Sequence, residues 1–584
     1  MDAADPFNGD EDAALRYAIA LSLQEAGTAS SAEKPVIELS SDEEEEDLDR
    51  GPAYPPIRKG QPEKGPAKDV PEPARAKSPA SVGGGLAALG LDRKKMEEER
   101  LARLGKRKAP ESESEQGSSP GRRRRPRLDG GAEKAVSAVQ ASSAAATQGN
   151  VRGLPYPKGV VKKTWASGLP REGDDITIEE VLQKDELELA VISSYQWDED
   201  WMVKKIDMAK TKVVLIAFAA DEAQQDQMEA NVPPGRIRFC FPPMLPMGSM
   251  HSKLQLLKYP KYLRIVVPSG NFVPYDWGEP GVIENIVFLV DLPRIEDPEL
   301  RSANRLNSFG EELCYFLRAQ GLEESLVNSL ANYDFSGTDS YRFVHSIGTS
   351  HVGDSWQRTG YCGLGRAVTS LGLNTTADID IDLAVSSLGA LNMDLVTAIY
   401  YAAQGDNGLK EYAKRASKSN KTKLSTDAAA AVFRDKFRIY FPSRDTVIHS
   451  RGGKNAAGTI SAQAKWWDSA TFPRELVCDS KSVRPGLLLH SKIMIVSHSH
   501  SGKTTAAYAY VGSANLSESA WGRLVREKGT GNPKLTCRNW ECGVLVTSLS
   551  GLADFRSTVP IPMKMPGEKY GATQSKRPWL FHEG

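Results

Sequence analysis

Two short phrases of the chain carry the same reactive side chains in the same order: "MHSKLQLLKY" at residues 250–259 and "LLLHSKIMIV" at 487–496. Each sets a His and a Lys two residues apart in an apolar run, and on an extended strand such a pair shares one side. Downstream stand "SGNFVPYDWG" and "SANLSESAWG", so that Asn271, Trp277 and Gly278 match Asn515, Trp521 and Gly522. The His-to-Asn separation is 20 residues in one copy and 25 in the other, the longer one holding the polar loop "SHSHSGKTTAA". This is an internal duplication of a strand–loop–strand unit.

Brought face to face, the two copies offer two imidazoles, two ammonium groups and two carboxamides, a set that suits a phosphodiester. Lys253 and Lys492 would neutralise the non-bridging oxygens, and the amides of Asn271 and Asn515 would donate to the same oxygens as charge builds up. One imidazole can attack phosphorus while the other protonates the departing oxygen.

The elements that must hold these groups alternate along the chain. "TKVVLIAFAA" (211–220), "YLRIVVPSG" (262–270) and "ENIVFLV" (284–290) read as buried strands and "SLVNSLANYDF" (325–335) as a helix. Beyond a seam near residue 345, "LVTAIYYAAQ" is helical, whereas "KFRIYFPS", "GLLLHSKIMIVS", "AAYAYVGSANL" and "CGVLVT" read as strands. Alternation of this kind implies an α/β architecture. The chain of 584 residues is 40% hydrophobic and 26% charged, with a formal charge of −1. It has no apolar run long enough to span a membrane and no secretory leader in "MDAADPFNGDEDAA". Six scattered cysteines with no C-x-x-C pair suggest a reduced, intracellular protein without a disulfide frame or structural zinc.

Residues 1–150 are rich in Glu, Ser, Pro, Gly, Ala and Arg and poor in aromatics, the composition of a disordered regulatory arm. Three signals stand out in it. Residues 10–26 put Leu15, Ala18, Ile19 and Ser22 on one helix face after an acidic start, and resemble a ubiquitin-interacting motif. "VIELSSDEEEED" (36–47) is similar to a SUMO-interacting motif, which adds a strand to a partner's sheet edge. The basic clusters "GKRK" and "GRRRRPR" between 105 and 127 suggest nuclear import.

The paired H-x-K units resemble the phospholipase D superfamily. The Asp that usually follows the Lys is missing, since Lys258 and Ser497 stand there. With "HSKLQLL…SGN", "SANLSESAWG", "WECGVLV" and "YDFSGTDSYRFVHSIG", the chain from about 155 onward is similar to the tyrosyl-DNA phosphodiesterase branch. The resemblance implies two pseudo-symmetric α-β-α sandwich domains, at 151–345 and 346–584, following the disordered arm. It implies His251 as nucleophile, His490 as general acid and then base, and Lys253, Lys492, Asn271 and Asn515 around the phosphate. Glu541 would orient His251. Glu284, where the family often has Gln, falls at the counterpart position as a possible orienting carboxylate for His490. Ser386 and Ser387 of "AVSSLGAL", with Ser517, would contact DNA phosphates, and "SRGGK" (450–454) would add a basic contact. The implied substrate is DNA joined through its 3′-phosphate to a tyrosine of a stalled type I topoisomerase, cleaved by a monomer in the nucleus. No cofactor is needed, because a phenol of pKa about 10 leaves readily.

Other readings stay open at this level. "DIDID" places Asp378, Asp380 and Asp382 on one strand face, either to hold magnesium or as a solvated edge strand. "HSH" (498–500) reads as a polar loop or a metal ligand pair. A lipid-cleaving phospholipase D, or an inert ubiquitin- and SUMO-binding adaptor, are the rival functions.

Overall fold

A computed structural model describes residues 153–580, apart from 234, 418–430, 432, 501–502, 549–554, 556–557 and 571–575. The described residues lie in one compact unit. The three signals expected in the arm lie outside them.

Two mixed sheets form the body. In the first, the strands run Val160–Thr164, Ile286–Pro293, Tyr262–Pro268, Gln255–Lys258, Leu189–Ser193, Lys212–Ile216 and Ile237–Cys240, with Asp175–Ile176 at one edge. The second runs Tyr341–Ser346, Asn539–Ser548, Lys503–Gly512, Ile493–His500, Ile379–Ala384, Phe437–Phe441 and Val477–Asp479. Position by position the directions agree: three parallel strands at one end, then four joined antiparallel. The duplication therefore extends from the short phrases to seven strands. Tyr341–Ser346 already belongs to the second sheet, so the chain changes sheets before the seam expected near 345.

Alternation of side chains along each strand supplies two apolar faces. On the first sheet Ile265 and Val267 point to a core shared with the second sheet, while Val266 points to an outer layer with Trp201 and Met202. On the second sheet Ile493, Ile495, Val511 and Val544 enter the shared core, and Ile379, Ile381 and Leu383 pack outward with Leu395 and Ile399. The helix Ser308–Ala319, capped by Asn307, adds Phe309, Leu313, Phe316 and Leu317 to the shared core. The region read as a helix over 325–335 is one only for Glu324–Ser329, followed by the single turn Leu330–Asn332.

The acids of "DIDID" have partners. Asp380 and Asp382 lie on an interior strand rather than an edge, with Asp378 just before it; Lys436 meets Asp378 at 2.7 Å, and Arg438 meets Asp382 at 2.5 Å and Asp380 at 3.3 Å. The six cysteines are buried and unpaired.

Phe316 is fully buried, with its ring against those of Phe343, His345 and Trp540. Phe316→Ala is expected to cost about 3–5 kcal/mol in denaturant unfolding. A loss below about 1 kcal/mol would contradict the shared core.

Candidate active site

Neither H-S-K triplet lies on a strand of its own sheet, contrary to the sequence expectation. Each occupies an extended crossing just before that strand. Ser249–Met250 pairs in parallel with Asn539–Trp540 of the second half, and the His251 N–H then donates to Trp540 O at 3.0 Å. Leu488–Leu489 pairs in parallel with Ile283–Glu284 of the first half, and the His490 N–H donates to Glu284 O at 3.0 Å. Each histidine thus hangs on the backbone of the opposite half. The lysines fold back: Lys253 Nζ donates to His251 O at 2.7 Å and Lys492 Nζ to His490 O at 2.6 Å.

This crossing explains how Glu541 is reached. Met250 lies opposite Trp540, so the next residues, His251 and Glu541, face each other, and His251 Nδ1–H donates to Glu541 Oε2 at 2.8 Å. Ser513 Oγ and Asn539 Nδ2 also donate to this carboxylate, at 2.5 and 3.1 Å. With its proton held on Nδ1, the ring carries its lone pair on Nε2.

The expectation for Glu284 is not met. In the second half Ser513 binds Glu541 and receives the Cys542 N–H; in the first half Ser269 binds Asn285 Oδ1 and receives the Ile286 N–H. The residue matching Glu541 is therefore Asn285. A one-residue offset turns a side chain to the other face, and Glu284 points away, into a buried cluster with Arg484 and Ser482. The carboxylate beside His490 is instead Asp276, whose Oδ1 lies 3.2 Å from His490 Nδ1 in a close charge contact rather than an aligned hydrogen bond. Its Oδ2 accepts the Asn271 N–H at 2.6 Å, and the Asn285 amide holds its carbonyl at 2.8 Å. The signal was in the repeat: Asp276 precedes the matched Trp277-Gly278 where the other copy has Ala520. The glycines of those pairs have φ of +76° and +81°, and a Cβ on Gly278 would meet Trp165 O at 1.9 Å, so no other residue fits there.

Asn515 is fixed by three donors on its Oδ1: the N–H groups of Ser386 and Ser387 at 3.1 and 3.0 Å and the Ser386 hydroxyl at 3.3 Å. Three of the donors on this turn thus aim an amide. Ser517 Oγ caps the short helix Glu518–Trp521 by accepting the Ala520 N–H at 3.2 Å. Asn271 Nδ2 reaches Gln196 Oε1 at 3.4 Å. The "SRGGK" loop meets the first half where Gly452 faces Val282, and within its own half the Arg451 N–H donates to Gly486 O at 2.8 Å.

His490, Lys253, Lys492, Asp276 and Glu541 are buried and His251 is partly so, and burial competes with neighbouring charges to set their acidities. It brings Lys253 down to about 8 and His490 to about 4, and lowers His251. Lys492 falls well below the ordinary lysine range through burial and the nearby Lys253. Burial alone would raise Asp276 and Glu541, but His490 and Lys492 hold the first well below the usual carboxylate range, and His251 and Lys253 lower the second. Each imidazole feels the ammonium of the opposite half, which places both half-sites in one electrostatic environment.

Residues 160–571 match the family model for tyrosyl-DNA phosphodiesterase, and residues 10–26 match the ubiquitin interaction motif. Tyrosyl-DNA phosphodiesterase 1 of Arabidopsis thaliana is 22% identical over 419 residues, which cover 68% of this chain and 61% of that protein. The chain thus spans less than two thirds of the length of this relative. Two crystal structures of the yeast tyrosyl-DNA phosphodiesterase, one of a point mutant, superpose with TM-scores of 0.52 and 0.53 at 17% identity. Each covers 72% of this chain and 100% of the yeast chain.

An anion between the lysines should draw protons into the site. At pH 8 about half of the empty sites hold neutral Lys253. A bound anion raises that pKa toward the usual lysine value, so binding takes up at least about half a proton per site. Calorimetric titration with sulfate, which does not itself titrate there, in Tris and in HEPES should show this uptake. Zero uptake, or release, would contradict the electrostatics.

Proposed function

Because the chain belongs to the tyrosyl-DNA phosphodiesterase family, we propose that it hydrolyses the bond between a DNA 3′-phosphate and a tyrosine, as left by a stalled type I topoisomerase. The observation that carries this reading is reciprocal: each imidazole presents Nδ1 to a carboxylate of the opposite half and lies in the field of both lysines. On this reading both Nε2 atoms serve one ligand.

His251, with Nδ1–H held by Glu541, attacks phosphorus through Nε2. The P–O bond to tyrosine breaks, and the phenolic oxygen takes the Nε2 proton of His490, whose imidazolium Asp276 stabilises. The product is a phosphohistidine joined to the DNA. His490, now neutral, takes a proton from water, whose oxygen attacks phosphorus and breaks the P–N bond. DNA leaves with a 3′-phosphate and both rings return to their starting states. Lys253, Lys492, Asn271 and Asn515 hold the non-bridging oxygens, where charge accumulates in each transition state. The pKa of about 4 of His490 in the empty site is matched to this role only with substrate bound, because burial and the two lysines depress it and the phosphate charge opposes the lysines.

The segment 10–26 recruits the enzyme to ubiquitin-bearing adducts, the 36–47 segment to SUMO, and the basic clusters carry it to the nucleus, where it acts as a monomer. Among the described residues no helix is long and apolar enough to cross a membrane.

An oligonucleotide ending in 3′-phosphotyrosine should be converted to the 3′-phosphate in the presence of EDTA; absence of that product would refute the activity. His490→Asn should accumulate a covalent protein–DNA adduct visible on denaturing gels, because release of the intermediate needs its base. His251→Ala should accumulate none. Equal trapping by both variants would overturn the assignment of nucleophile and acid. Asp276→Asn should lower kcat about 100-fold or more by removing the charge that stabilises the imidazolium, with binding little changed; an unchanged kcat would remove Asp276 from the site.

A further inference from the structure

We propose that Gln196 is the positioning residue that sets the direction of the Asn271 carboxamide, an inference resting on the reading that Asn271 holds a phosphoryl oxygen. The two half-sites secure their asparagines by different means. Asn515 Oδ1 is saturated by the Ser386–Ser387 turn, so its NH2 has one direction in which to point. Asn271 has no equivalent turn. Its Oδ1 is buried without a donor, and the partner given to its amide is the side chain of Gln196, at 3.4 Å.

As the two amides stand, Gln196 Oε1 holds one Asn271 N–H aside. Rotating both carboxamides by half a turn exchanges the roles: Gln196 Nε2 donates to Asn271 Oδ1, satisfying the orphan oxygen, and the Asn271 NH2 is released. A phosphoryl oxygen drives that exchange, since it attracts N–H and repels Oδ1. Gln196 then does from a side chain what two backbone N–H groups do for Asn515.

The loop is braced for this task. Ser194 Oγ accepts the Phe272 N–H at 2.9 Å and donates to Gln196 O at 2.5 Å, which ties the Gln196 backbone to the residue after Asn271. Trp197 forms a parallel bridge with Phe272, and the rings of Trp197 and Trp201 pack on the Phe272 ring. On the other side Asp276 holds the Asn271 N–H. Gln196 and Asn271 therefore move as one piece. Gln196 is itself half-buried at the site, beside Tyr195, whose ring centroid lies 5.4 Å from that of His251.

Orthovanadate binding to the full chain, followed by calorimetry, tests the proposal through a double-mutant cycle. Gln196→Ala should weaken vanadate about 5- to 10-fold with Tm unchanged within about 2 °C. The loss should vanish on the Asn271→Ala background and persist on Asn515→Ala. Gln196→Glu, which accepts but cannot donate, should bind no better than Gln196→Ala. Equal losses on the two asparagine backgrounds, or no loss from Gln196→Ala, would overturn the assignment. Vanadate asks nothing of DNA, so a wild type that binds it yet leaves tyrosyl-DNA intact would refute the proposed activity and leave Gln196 to the cycle. A wild type that does not bind vanadate overturns both.

Discussion

A backbone hydrogen bond made twice governs the arrangement of this molecule: the N–H of His251 to the second half, and the N–H of His490 to the first. Each reactive segment leaves its own half for two residues, pairs with a strand of the other, and returns. The histidine sits at the return point. Neither half can assemble its imidazole, lysine and orienting carboxylate alone, since Glu541 serves a ring from the first half and Asp276 a ring from the second. The shared apolar core behind the sheets supplies the rigidity that such crossings need.

Gathering two lysines, two histidines and two carboxylates in a buried space is costly, because ions taken from water lose solvation that mutual attraction only partly offsets. The protein lowers that cost by hydrogen-bonding the carboxylates on several sides and by letting the lysines cap carbonyls. What remains is burial together with a positive potential from two facing ammonium groups; both lower the pKa of each histidine, and Lys253 likewise lowers that of Lys492. That strain is relieved by a bound anion. Under the proposed mechanism, binding energy for phosphate and the proton inventory for catalysis come from one source.

Much of this was legible in the sequence, and the parts that were not have a common cause. The repeated His, Lys, Asn and Trp-Gly positions identified the half-sites because each is a short local pattern, and long apolar runs such as Tyr262–Pro268 announced the strands. The crossings are only two residues long, too short to carry any periodicity, so H-S-K was placed on strands it precedes. Glu284 stands next to Asn285, and chain position alone cannot resolve a one-residue register. Asp276 is hidden because the two halves solve one problem from non-equivalent positions: a loop acid with the neutral Asn285 in one, a strand acid with Ala520 in the other. The Ser386–Ser387 turn is legible in the sequence, whereas the bonds of three of its donors to Asn515 join segments far apart in the chain.

The claim on which the rest stands is that both rings serve one phosphorus atom. A crystal structure of the full chain with orthovanadate and a 3′-hydroxyl oligonucleotide addresses it directly. Vanadium should be five-coordinate with His251 Nε2 at one apex, and the opposite apical oxygen should lie within hydrogen-bond distance of His490 Nε2. Vanadate bound to one half-site, with the second imidazole out of reach of its oxygens, would contradict the account.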